Sequence, residues 1–345
     1  MGAVMKSAFE KKYENPFLTE RADPFIGKGS VSVMGAEKEY YFFTSSYPAV
    51  GDVFHGYDRI ILRRAETVDG LRTAEEAVVW KAHEEGELCL HIWAPEIHKI
   101  GGVWYILFTA APSTDRWHIR PCMLRCRDES RMMEEEGWEE LGHVKAMDGD
   151  TFSFRDFSLD MTYLEHRGEH YLAWAQKGEL SSIYMARIRP EEPWQLASSP
   201  VLLTKPEYPW EMVKEKVNEA PFFWKANGRI YLFYSASGTG SEYCVGCLWA
   251  GAEEDLMDPA SWHKLDHPIF STNDVPSEYG PGHNSVVEDQ DGALLFVYHA
   301  RPAEHEEGRC GYRHCHPLYD PCRHARIRHL TWSEQGLPVI EVGDK

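Results

Sequence analysis

Five short stretches of this chain repeat one pattern, and their spacing restricts the fold more than any other feature. They read KEYYFFTSS around Tyr41, GVWYILFTAAP around Tyr105, GEHYLAWAQ around Tyr171, GRIYLFYSASG around Tyr231 and GALLFVYHARP around Leu295. Each is dense in aromatic and β-branched residues, as a buried strand is. The last four open on a glycine turn, and the first carries Gly35 slightly upstream. The period is about sixty to sixty-six residues, the mark of an architecture with one supersecondary unit per repeat. Shorter strand signals such as RIILRRA, IYMARIR and YCVGCLWAGA lie between them, and long amphipathic helical patterns are scarce. Five β units without helices to cover a flat sheet call for radial closure. The expected fold is therefore all-β, a five-bladed β-propeller of four-stranded blades whose edges are short and protected. A β-sandwich with coincidental repetition is the alternative. No Pro/Gly/Ser linker or composition break divides the chain, so a single domain is expected over residues 1–345, with roughly the first fifteen as an N-terminal extension.

Composition narrows the partners. The 345 residues carry a formal charge of −19 spread along the chain. Such a field repels phosphate backbones and anionic lipid, which makes nucleic acid and membrane surfaces poor partners. No apolar run is long enough to span a bilayer. The start, MGAVMKSAFEKKYENPF, shows neither an apolar leader core nor a cleavage site, and Lys6 stands where a myristoylation signal wants Ser or Thr. A cytoplasmic location is the resulting expectation. The eight cysteines are too few for a disulfide scaffold in this length and read as reduced structural thiols. Cys244-Val-Gly-Cys247 has zinc-ligand spacing, and CGYRHCHPLYDPC adds further candidate ligands.

A second pattern lies one hairpin upstream of each aromatic strand. The preceding strands open as RADPFIG, HIWAPEIH, FSLDMTYLEH, VNEAPFFWK and GPGHNSVVE, with Asp23, Glu96, Asp160, Glu219 and His283 at their mouths. The innermost strands of a propeller line its axis, so these side chains should converge on one pocket. A lone carboxylate beside proline is ordinarily a solvated cap; recurrence in every repeat is what carries the inference. Glu219, next to Phe222, Phe223 and Trp224, is expected to be shielded from water, and desolvation raises a carboxyl pKa. A carboxylic acid still protonated near neutrality is what a general acid requires. Asp23, after Arg21, can remain ionised as a base. Two carboxyls with pKa values pushed apart, one protonating a leaving oxygen and one activating water across a sugar ring, describe glycoside hydrolysis, and placement on different blades predicts inversion. Asp160 is expected to hold the acid in place and keep its pKa high. Trp93, beside APE, offers a face for a sugar ring, whereas Trp104, Trp174, Trp224 and Phe25 read mainly as packing between blades. For His283 three roles stand open: ligating a metal on the axis, donating to substrate, or plugging the channel.

At these motifs the chain resembles glycoside hydrolase family 43, five-bladed propellers that cleave arabinose and xylose linkages with inversion. The likeness runs from NPFLTERADPF to RIRHLTWSEQGLPVI. It implies Asp23 as general base, Asp160 as pKa modulator and Glu219 as general acid. It also implies an axial role for His283, beside which some members hold a calcium or other ion; no cofactor is implied for the chemistry itself. A downstream arginine contacts substrate in relatives, and Arg323 in DPCRHARIRHLTW is the first candidate, Arg301 in YHARP the second. With Trp93 and Glu96 these complete the expected substrate contacts. Two positions depart from the usual family wording: Met161 follows Asp160, and Ala220 separates Glu219 from Pro221 where glycine is common. The stretch IWAPEIHKIGGVWYILFTAAPS resembles α-L-arabinofuranosidases acting on arabinan or its oligosaccharides. A β-xylosidase or bifunctional enzyme is the neighbouring alternative, followed by an endo-arabinanase; a non-catalytic sugar-binding propeller is the alternative from another class.

Overall fold

The computed structural model describes residues 13–33, 35–48 and 56–342. Most of the expected N-terminal extension, and the Gly2 and Lys6 positions considered for lipidation, lie outside the described residues.

Among the described residues, twenty strands form five antiparallel four-stranded sheets, each built in sequence order from the axis outward. Blade I comprises β1 (Ala22–Val33), β2 (Ala36–Ser46), β3 (Arg59–Ala65) and β4 (Ala77–Lys81). Blade II comprises β5 (Leu90–Ile100), β6 (Val103–Ala111), β7 (Arg120–Cys126) and β8 (Trp138–His143). Blade III comprises β9 (Ser158–His166), β10 (Glu169–Lys177), β11 (Ser181–Ile188) and β12 (Val201–Thr204). Blade IV comprises β13 (Asn218–Ala226), β14 (Arg229–Ala236), β15 (Cys244–Gly251) and β16 (His263–Lys264). Blade V comprises β17 (Glu278–Glu288), β18 (Leu294–Pro302), β19 (His324–Trp332) and β20 (Pro338–Ile340). The ring is a five-bladed β-propeller. The five aromatic stretches are the second strands, buried along most of their length because each sits between two partners in its own sheet and between neighbouring blades. Trp104 and Trp174 are fully enclosed there.

Closure brings β1 against both β5 and β17. The segment before β1 reaches back to the last blade, where the Phe17 N–H donates to the Ala325 carbonyl at 2.8 Å and Leu18 bridges Ala325. Chain start and chain end thus fasten the ring at one seam. Among the described residues, no helix is long and apolar enough to cross a membrane.

The Cys244/Cys247 pair sits within β15, where residues three apart point to opposite faces. Cys247 packs among Phe233, Val245 and Phe270, and Cys244 on the other face with Leu248 and Tyr234. The zinc-like spacing therefore brings no two ligands together, because it falls on a strand and not on a turn.

Candidate active site

The inner strands share a backbone irregularity that creates the site. Each pairing of a first with a second strand slips register near its mouth, between Ala22 and Phe25, at Trp93, opposite Ala173 to Ala175, between Glu219 and Phe222, and at Gly282. Each strand has a non-glycine residue turned left-handed at a slip, at one position in each blade: Asp23 (φ 53°), Ala94 (47°), Asp160 (53°), Ala220 (49°) and His283 (49°). None is glycine, so each conformation carries strain that the surrounding ring must hold, a recurrent feature of functional sites. A bulge also frees a ladder N–H, which needs another acceptor once buried. Side chains supply it. The Asp23 N–H donates to His299 Nδ1 (3.1 Å), that of Ala94 to Ser46 Oγ (2.9 Å), that of Ala220 to Asp160 Oδ2 (3.0 Å) and that of His283 to Ser235 Oγ (2.7 Å). The bulges turn the adjacent side chains into one axial cavity of about 800 Å³, lined at its base by Asp23, Trp93, Asp160, Glu219, His283 and Arg323.

Asp23 is buried and tightly partnered. Its Oδ2 accepts from the Ser46 hydroxyl, and its Oδ1 lies 3.3 Å from His283 Nδ1 and 3.4 Å from an Arg323 guanidinium nitrogen. Burial pushes its pKa upward, but His283, Arg323 and His299 outweigh that and hold the carboxyl well below the usual range. Burial also lowers the pKa of His283 itself, so the permanent charge responsible is the Arg323 guanidinium. Arg323 is fixed in turn by Tyr57 Oη at 2.6 Å and the Leu318 carbonyl at 3.1 Å.

Glu219 lines the same cavity from blade IV. Its Oε1 accepts from the Tyr243 hydroxyl at 2.7 Å. That phenol reaches it across Gly282, where a Cβ would sit 2.2 Å from the Tyr243 ring; only glycine allows the approach. Burial first, then the charge of Asp23, raises the Glu219 pKa to about 7, against the lowering effect of Tyr243 and Arg323. Asp160 is buried and pushed upward as well, by burial, then by Glu219 and Asp23. The two carboxyls titrate as a coupled pair whose apparent values belong to both. By gripping the N–H of Ala220, Asp160 also fixes the peptide that orients the Glu219 side chain.

The structure separates the remaining candidates. Trp93 faces the cavity with His91 stacked behind it, ring centroids 4.1 Å apart, and Tyr57 edge-on at 5.6 Å. Glu96 does not line the cavity. The residue equivalent to Asp23 on β5 is Ala94, so Glu96 falls two positions further along the strand, where it bonds His98 Nε2 at 2.7 Å. The expectation that it marks a blade mouth is corrected by the bulge. Arg301 is likewise displaced from a substrate role: it is 1% exposed, its guanidinium filled by Asp320 Oδ2 (3.0 and 2.7 Å) and the carbonyls of Thr239 and Pro317. Arg301→Met is expected to cost about 3–5 kcal/mol in denaturant unfolding, because Asp320 is left as a buried unpaired charge, with a smaller change in KM than Arg323→Lys produces. Ser46, Tyr57, Tyr243 and His299 were not anticipated; they come from second and third strands or the loops beside them, where nothing in the local sequence marks them. Lys177, Lys214 and Phe157 form part of the rim.

The family model described as Glycosyl hydrolases family 43 matches residues 13–338. An extracellular exo-α-(1→5)-L-arabinofuranosidase of Streptomyces chartreusis is 43% identical over 293 residues, 84% of this chain and 82% of that protein. A protein of the same name from Streptomyces avermitilis is 37% identical over 331 residues, covering 94% of this chain and 62% of its own length. A solved α-L-arabinofuranosidase from Lactobacillus brevis superposes with a TM-score of 0.80 at 37% identity, covering 94% and 95% of the two chains. Both Streptomyces relatives are named extracellular, which overturns the expectation of a cytoplasmic protein. That expectation leaned on the first residues alone, and a location signal plays no part in the fold or the site.

Proposed function

Because the chain belongs to glycosyl hydrolase family 43, we propose that it is an inverting α-L-arabinofuranosidase that releases terminal arabinofuranosyl residues from arabinan or arabino-oligosaccharides. The observation that carries the mechanism is that Asp23 of blade I and Glu219 of blade IV line one cavity, the first held ionised and the second raised to about 7. In this reading the terminal sugar sits at the axis against Trp93. Glu219 gives its proton to the glycosidic oxygen as the bond lengthens. Asp23 takes a proton from water attacking the opposite face of the anomeric carbon, so the released sugar has inverted configuration. Arg323 keeps Asp23 ionised and its guanidinium borders the substrate. Asp160 orients the acid through the Ala220 peptide, and the charge of Glu219 in turn raises the pKa of Asp160, so the two carboxyls do not ionise independently.

An axial ion belongs to the proposal only as a structural element. His283 and Glu96, whose charge reaches it, are the residues that would hold it, a sparse set for calcium, which takes six to eight oxygen ligands; such an ion would be largely hydrated and would supply positive charge beneath the substrate.

A panel of nitrophenyl α-L-arabinofuranoside, β-D-xyloside and β-D-galactoside, with linear and branched arabinan, tests substrate class. Proton NMR of the first-formed anomer tests stereochemistry. Turnover of the xyloside alone, or retention, would overturn the proposal.

The pH dependence checks the acid and its neighbours. The alkaline limb of kcat/KM is expected near pH 7, the region where Glu219 loses its proton. A hydrogen bond to the charged form lowers a pKa, so removing it in Tyr243→Phe should move the limb to higher pH. Asp160→Asn removes one member of the coupled carboxyl pair, leaving a single titrating group, and should move the limb lower. A limb that stays put in both variants would contradict these roles.

A further inference from the structure

The connection between β18 and β19, residues 303–323, is long for a propeller hairpin and carries little regular structure beyond the helix α1 (Ala303–Glu306). It nevertheless delivers His316, Leu318 and Arg323 to the cavity, and the Leu318 carbonyl accepts from both Tyr57 and Arg323. Something must hold such a segment to the accuracy an active site needs. The Arg301–Asp320 pair secures one point. A second cluster lies beside it.

His305 Nδ1, Cys310 Sγ and Cys322 Sγ all lie within 4.8 Å of one another, with His305 Nδ1 and Cys310 Sγ 3.3 Å apart. A tetrahedral zinc ion with its usual bond lengths sets neighbouring nitrogen and sulfur ligands about 3.5 Å apart and two sulfurs about 3.8 Å apart. The chain is folded to make this cluster. The Glu304 carbonyl accepts from the N–H groups of Arg309 (2.8 Å) and Cys310 (3.2 Å), a turn that returns Cys310 to the side of His305. The Tyr312 N–H donates to Cys310 Sγ at 3.3 Å, which fixes where that sulfur points. The Cys322 N–H donates to Asp320 Oδ1 at 3.0 Å, tying the third ligand to the Arg301 anchor. His305 and Cys322 are buried and Cys310 is half-buried, so the site is enclosed on one side and open to ion entry on the other.

We propose that His305, Cys310 and Cys322 bind a structural zinc ion that pins the 303–323 segment beneath the catalytic cavity. Two thiolates and a neutral imidazole balance the charge of a divalent ion. This makes the site suited to partial burial in a way that three unmetallated groups are not. The site is distinct from the axis beside His283, since thiolates take part here. It also differs from the β15 cysteine pair, whose side chains diverge.

The test uses the full chain, reduced and stripped of metal, titrated with cobalt(II). One equivalent per chain should bind and give the thiolate-to-cobalt charge-transfer absorption in the near ultraviolet, displaced by one equivalent of zinc. Cys310→Ser and Cys322→Ser should abolish that absorption while Cys244→Ala keeps it. The proposal is overturned if the reduced wild-type chain shows no charge-transfer band, if both serine variants retain it, or if peptide mapping of freshly purified protein finds Cys310 and Cys322 joined as a disulfide in metal-free material. The wild-type titration decides the matter even if a serine variant fails to fold.

Discussion

Asp23→Asn is expected to remove hydrolysis of every substrate, with kcat falling by about 10²–10⁴ or more, while product affinity changes little. The expectation follows from what the carboxylate does and from how the ring holds it. Water is a poor nucleophile until its proton is taken, whatever the leaving group, so an activated aryl arabinoside should lose as much as a natural oligosaccharide. Asparagine matches aspartate in shape and can still accept from Ser46, which keeps the cavity intact. What it cannot do is carry charge. Arg323, 3.4 Å from Oδ1, then loses its ionic partner inside the ring, and some loss of stability should accompany the loss of turnover. Azide, a nucleophile that needs no base, should restore part of the activity toward the aryl substrate and yield the inverted glycosyl azide. If Asp23→Asn kept more than a few per cent of wild-type turnover on the aryl substrate without azide, Asp23 would not be the base.

The sequence disclosed the ring and most of its acidic centre, for reasons specific to strands. A blade is built from hairpins whose partners are close in the chain, so the aromatic run and its glycine turn are local and repeat visibly. Asp23, Asp160 and His283 lie at equivalent left-handed positions, and they can be aligned because each stands at the opening of the strand one hairpin upstream of an aromatic run. The error at Glu96 shows the limit. Side-chain direction along a strand has period two, and one inserted residue reverses it. The bulge at Trp93–Glu96 is invisible in WAPE, yet it decides that Ala94 and not Glu96 takes the Asp23 position. It equally explains why Glu219 precedes the bulged Ala220 while Asp23 and Asp160 are themselves the bulged residues. From sequence, Arg323 is preferred to Arg301 only by likeness to relatives, because both stand near strand ends in blade V and no local feature separates them. Their difference is made by Asp320, which draws one guanidinium beneath the floor. Tyr243 was hidden for a further reason. Its approach to Glu219 depends on the missing side chain of Gly282, thirty-nine residues away on another blade.

Glu219→Gln should separate substrates by leaving group. With an arabino-oligosaccharide the departing alkoxide needs a proton, and the loss should be about 10²–10⁴ in kcat. With a dinitrophenyl arabinoside the departing phenolate is stable unprotonated, and the loss should be far smaller. The two measurements together exclude a trivial explanation, since misfolding or a distorted cavity would depress both alike. Glutamine also keeps the contact with Tyr243, whose hydroxyl can donate to the amide oxygen as it does to Oε1, so geometry is preserved while the titrating proton is gone. A second consequence concerns pH. The wild-type alkaline limb arises because a group raised to about 7 by burial is lost as an acid above that pH; below it the proton is present and the enzyme active. In Glu219→Gln no such proton exists, so kcat/KM for the activated substrate should run flat through neutrality. Asp160, relieved of its neighbour's charge, should meanwhile ionise at lower pH, because Glu219 is among the influences that push it upward. Equal losses on both substrates, or an unchanged alkaline limb in the variant, would move the acid role to another residue, and Asp160 would be the first to examine.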